Sequence, residues 1–124
     1  VAGLLDFDTP IALLALLVLQ YFPDTDEVTT LIRQYRQALP AGSVVVLSHV
    51  TGDDPAMPVA EATRLSQNTD NPTYARTRDE FAALFADALL IDPGIVFAQH
   101  WHPDSHNTDP EHTCVYTAAT HARA

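Results

Sequence analysis

One polar stretch gathers four of the six histidines, with two carboxylates beside them, side chains able to hold a metal or move a proton: His100, His102, Asp104, His106, Glu111 and His112. Imidazoles and carboxylates at such density are the donor set of zinc and nickel sites. Only His102 and His106 stand four apart, and Pro103 and Asp104 break the segment between them. Metal geometry is poorly fixed by a loop without supporting contacts, so the stretch reads as a solvated loop and no metal site is expected. Ser48-His49 is the second candidate. A nucleophile elbow requires G-x-S-x-G, and valines occupy both glycine positions. Neighbours on a strand point to opposite faces, so Ser48 and His49 do not form a nucleophile and base pair. They remain candidates for lining a ligand crevice at a strand end, as do Gln20 and Tyr21. Arg76 and Arg78 precede a helical stripe, where a solvated helix entry is the reading against an anion site. Trp101, the only tryptophan, reads as a seal over the core, and the lone Cys114 as a small core residue.

The elements that must position these residues begin with Ile11 to Phe22, IALLALLVLQYF, closed by Pro10 and Pro23. A membrane span needs roughly 20 apolar residues, so this run is buried in protein. It has no polar face at helical period, and Asp24 to Glu27 restart the chain as a helix immediately after it. A strand apolar on both faces is expected in the middle of a parallel sheet. Gln20 and Tyr21 then fall at its carboxyl end, where open α/β sheets bind ligands. Val28, Leu31, Ile32, Tyr35 and Leu39 repeat at helical spacing and predict a helix over about 26–39. Ser43 to Leu47 reads as a buried second strand, with Ser48 and His49 at its carboxyl end. Strand, helix and strand make a βαβ unit.

A weaker helix is expected over about 59–68 and another over about 78–88, the latter opened by a Thr77 and Glu80 capping box. Leu89–Ile91 and Ile95–Ala98 flank Asp92-Pro93-Gly94 and predict a strand kinked at its middle. Thr113 to Thr120 predicts a last strand, antiparallel to the one before it. With 124 residues there is room for one domain. Sixteen acidic residues stand against six basic ones, all arginine, for a net charge of −10. Such a surface repels phosphate backbones, which argues against nucleic-acid partners. The single cysteine implies no disulfide framework and no oxidising compartment, and a cytoplasmic setting is expected. The four glycines build neither a G-x-G-x-x-G turn nor a phosphate loop.

The segments DFDTPIALLALLVLQYFPD, LPAGSVVVLSHVTGD, RTRDEFAALF, LIDPGIV and WHPD resemble the carboxyl half of the S-adenosyl methyltransferase family. The resemblance implies an α/β, Rossmann-like sheet cut to two parallel strands with crossover helices and a terminal antiparallel hairpin. Ile11–Leu19 would match the family's fourth strand, Val44–Leu47 the fifth, and Leu89–Ala98 with Thr113–Thr120 the hairpin. It implies S-adenosylmethionine as cofactor, with Leu19, Gln20 and Tyr21 along it, and Ser48 and His49 on the side of a small-molecule acceptor. The family usually places His where this sequence has Gln20, a residue that hydrogen-bonds but does not titrate. The family's glycine-rich loop and acidic cofactor residue have no counterpart here, so residues 1–124 read as one partial domain lacking its amino-terminal half. The isolated chain is then expected to be inactive and to self-associate through strand 11–19. A non-catalytic module that completes its sheet with another chain is the alternative.

Overall fold

The computed structural model describes residues 3–104 and 114–123. The βαβ unit predicted by the apolar run forms as β1 (Ala12–Leu16), α1 (Thr25–Ala38) and β2 (Val44–Val50). β1 and β2 run parallel with Leu14 opposite Val46. The Asp24 carboxylate caps α1, its Oδ1 accepting from the amides of Asp26 and Glu27. That satisfies two donors that the first turn of a helix leaves free. Val28 and Ile32 bury the apolar stripe of α1 against the sheet. The chain then turns through Gly42, whose φ is +86° and whose missing Cβ would stand 3.0 Å from Pro10. Only glycine suits both conditions.

After β2 come α2 (Val59–Ser66), α3 (Arg78–Ala83), β3 (Val96–Phe97) and β4 (Val115–His121). β4 lies between β2 and β3 and is antiparallel to both, giving the order β1-β2-β4-β3. The capping box of α3 is complete: Thr77 Oγ1 accepts from the Glu80 amide while Glu80 Oε1 accepts from the Thr77 amide. Phe81, Leu84 and Phe85 carry the core side of this segment. The helix itself ends at Ala83, short of the predicted 88. From there the amides of Leu84, Phe85 and Ala86 bond three residues back, tighter turns that still keep the stripe buried. The hydroxyl of Thr29 donates to the Ala83 carbonyl and ties α1 to the end of α3.

Three expectations change. β2 runs on to Val50, because β4 pairs with it as far as Val50 opposite Val115. Ser48 and His49 therefore lie inside the strand and not beyond its end. The kinked strand over 89–98 is reduced to a single bridge, Leu90 to Thr120, and the two-residue β3. The turn at 92–94 separates them, closed by the Gly94 amide on the Ile91 carbonyl. β1 ends at Leu16, short of the Leu19 expected, and this run suited to a central strand is the edge of the described sheet, as expected where the family's first strand has no counterpart. Leu13 and Ala15 pack on the core beneath α1 and α3. On the opposite face Leu14 is 58% exposed and Leu16 50% exposed. α1 and α3 cover one face of the sheet, and the apolarity of β1 on both faces exceeds what they bury.

Candidate functional site

The carboxyl ends of β1 and β2 are tied together by side chains from three segments. Leu17, with φ at 55°, breaks β1, and its amide donates to both the carbonyl and the hydroxyl of Ser48. The chain then tightens into a 3-10 turn over Leu19–Tyr21. Leu19 of this turn is buried in the core. Its carbonyl accepts from the Phe22 amide and from Arg76, so the side chain and carbonyl of Leu19 both face inward. Gln20 is half-buried, and its Oε1 is enclosed with no hydrogen-bond partner. Tyr21 is half exposed.

His49 is fully buried and points to the core face, beside Phe81. Nδ1 lies 2.7 Å from the Val50 carbonyl and Nε2 lies 2.6 Å from Arg76 Nη1. Since the guanidinium can only donate, Nδ1 carries the proton and Nε2 is the acceptor. Burial pushes the imidazole below its ordinary value. The Val50 carbonyl opposes this, the Arg76 charge adds to it, and Glu80 opposes it in turn. His49 is thus a neutral internal acceptor that does not reach the crevice expected of it. Ser48, one residue back, faces the uncovered side of the sheet. It lines a cavity of about 550 Å³ with Leu16, Leu17, Val46, Trp101 and Val115. The structure therefore separates Ser48 from His49 and places Gln20 and Tyr21 at the neighbouring strand end.

Arg76, read from the sequence as a solvated helix entry, is buried to 3% exposure. Its Nε donates to the hydroxyl of Thr25, Nη1 to the Leu19 carbonyl and Nη2 to the Phe22 carbonyl, in addition to the His49 contact. Desolvation pushes its pKa below the ordinary arginine value, opposed by the charges of Glu80 and Asp24. The sequence offers one signal for this role: Arg76 stands one residue before the Thr77 cap, so the capped helix start carries it toward the core. Arg78 donates instead to the Ile95 carbonyl, and its amide to Asp53. Asp53 Oδ2 also accepts from Tyr116 at 2.7 Å. Tyr116 stacks on Phe97 with ring centroids 4.7 Å apart. Burial, then the Asp53 contact and charge, raise the Tyr116 phenol to about 12.

Trp101 lines the cavity on the uncovered face and does not seal the core. Of the histidine stretch, His106, Glu111 and His112 lie outside the described residues. His100 packs edge-on against Phe97, and His102 against Trp101. Among the described residues no group of three or more His, Cys, Asp or Glu could hold a metal ion, and no helix is long and apolar enough to cross a membrane.

A parallel βαβ pair, extended by an antiparallel strand pair, sets the carboxyl ends of β1 and β2 side by side. The S-adenosyl methyltransferase family model matches residues 1–124. A DUF574 family protein of Streptomyces avermitilis MA-4680 superposes with a TM-score of 0.84 at 28% identity, covering 94% of this chain and 46% of that one. A protein of Thermobifida fusca YX described as a "putative methyltransferase" superposes with a TM-score of 0.80 at 26% identity, covering 98% of this chain and 47% of that one. No curated protein matches. The chain spans about half the length of these solved structures. It belongs to the S-adenosyl methyltransferase family, and its fold is the α/β carboxyl-terminal half of a Rossmann-like methyltransferase sheet.

Proposed function

We propose that the chain is the carboxyl-terminal half of an S-adenosylmethionine-dependent methyltransferase whose complete form methylates a small-molecule acceptor in the cytoplasm. The observation that carries this reading is the family match over residues 1–124, and Gln20 Oε1, an enclosed acceptor without a donor in the turn after β1, is the group it would use. Enclosed polar atoms are normally paired, and a ligand amino group suits this one. S-adenosylmethionine, when bound, supplies an electrophilic methyl group and offers two amino groups as donors. Gln20 would accept from one of them, and the half-exposed Tyr21 would present its ring and hydroxyl beside it. Leu19 fits the role expected of it less well, because its side chain and carbonyl are already used. Gln20 does not titrate and His49 has no free nitrogen, so neither removes a proton from the acceptor. The net charge of −10 disfavours nucleic acid as that acceptor.

Reading the DNA upstream of Val1 tests the proposal first, with an in-frame G-x-G after a strand as the expected result. Calorimetry on the longer product tests it second. Gln20→Leu should weaken cofactor binding about tenfold, the loss of one hydrogen bond. Affinity equal to the parent's would overturn the assignment of Gln20.

The uncovered apolar face favours a second reading, a non-catalytic module that completes its sheet with another chain. Recovery of the 124-residue chain as a folded monomer counts against it.

A further inference from the structure

We infer that Arg76 is the positioning residue of the crevice, the group that fixes where Gln20 and Tyr21 stand. This rests on the reading of the crevice given above, since the position of that turn matters to a ligand only if a ligand binds there.

A guanidinium has five N–H groups in a planar fork. Arg76 commits four bonds to the two strand ends: three go to the segment after β1, at Leu19, Phe22 and Thr25, and one to His49 on β2. Its neighbours in sequence repeat the pattern with their main chain. The Arg76 amide donates to the Val50 carbonyl, and the Tyr74 amide donates to the Gln20 carbonyl at 2.8 Å. Residues 74–76 therefore lie as a strap across both strand ends, with Gln20 held at its own carbonyl and the turn around it held at the carbonyls of Leu19 and Phe22.

The chemistry of the site argues against a general packing role. Burying a cation is costly unless it is paired or fully hydrogen-bonded. Among the described residues no carboxylate lies within pairing distance of Arg76, and the pair Arg64 with Glu61 is on the surface. Asp24 and Glu80 act on it only through space. Its acceptors are two carbonyls freed where β1 ends and the chain turns, the Thr25 hydroxyl, and a histidine nitrogen that burial keeps unprotonated. Lysine could not reach acceptors in these directions from one ammonium. An apolar side chain would leave the carbonyls of Leu19 and Phe22 with fewer donors in a buried place.

Amide hydrogen exchange followed by NMR on the 124-residue chain tests this without any cofactor, so its failure is distinct from failure of the cofactor reading. Arg76→Lys and Arg76→Met should speed exchange of the Phe22 and Tyr74 amides about tenfold or more, the loss expected for a hydrogen bond to a charged group. The remote amides of Ile91 and Ala122, which bond to Ala119 and Ser43, should stay within about twofold. The His49 side-chain nitrogens supply a signature that loss of packing alone would not move. The parent should show a protonated Nδ1 and a bare Nε2, and Arg76→Met should shift Nε2 as it loses its donor. Should both arginine variants fail to fold, Thr25→Val removes one acceptor of the fork and should speed exchange at Phe22 about threefold. Unchanged exchange at Phe22 and Tyr74, or an equal rise at all four amides, would overturn the inference.

Discussion

Burial holds the His49 imidazole neutral, and this ties stability to pH at a single residue. In the unfolded chain a histidine titrates near 6.5, and in the folded chain its value is lower. Between the two values the unfolded state binds more protons, so stability rises with pH across that window. It is fully present above about 6.5 and is lost as pH falls through that value toward the folded one. His49→Gln should remove this part of the slope, read as the difference in urea midpoint between parent and variant from about pH 5 to 7. Equal slopes in the two proteins would refute it. Tyr116 gives the opposite sign at the alkaline end. Its folded value near 12 exceeds the unfolded value near 10, so the folded state keeps the proton longer. Stability should fall as pH rises from about 10 and level off above about 12, and Tyr116→Phe should flatten that fall in thermal melts. Neither residue announced this in the sequence. His49 and Arg76 are 27 positions apart and Asp53 and Tyr116 are 63 apart, distances over which no local pattern acts. Strand alternation did foretell that Ser48 and His49 part company, because it depends only on backbone geometry.

At the scale of elements, local chemistry explains most of what forms. The Thr77 and Glu80 box starts a helix of only six residues, too short to persist without its cap and its packing. Thr77→Ala should cost about 1 kcal/mol, measured as a lower denaturant midpoint with unchanged slope. No change in midpoint would mean that Phe81, Leu84 and Phe85 hold the segment by themselves. Elements whose extent is set by distant pairing differ from what local sequence implies. Ser48 and His49 are polar and read as a strand end, yet β4 continues the ladder past them to Val50. Over 89–98 the β-branched residues read as strand on both sides of Pro93, but only Leu90, Val96 and Phe97 pair in register with residues of β4. The apolar stripe of 78–88 persists, but its backbone changes from helix to tighter turns at Leu84, a difference that side-chain periodicity does not report.

The whole molecule presents an imbalance that its own sequence predicted and its own residues do not correct. Ile11–Phe22 is apolar enough for a central strand, yet β1 is the edge of the described sheet and Leu14, Leu16, Leu17 and Val18 are between 42% and 58% exposed. Full burial of each such side chain is worth about 1.5–3 kcal/mol, against the ~5–15 kcal/mol that stabilises a domain. β1 also carries none of the lysines, prolines or bulges that protect an edge strand from pairing. We therefore propose self-association of the chain through this strand. Leu14→Lys should suppress it by placing a charge at the centre of β1. The central claim, that this is half of a cofactor-binding sheet whose crevice needs the other half, is tested most directly by gel filtration with light scattering, alongside calorimetric titration with S-adenosylmethionine. The account predicts a mass above 13.5 kDa and no measurable heat of cofactor binding. A sharp monomer peak at 13.5 kDa that also takes up the cofactor would contradict it.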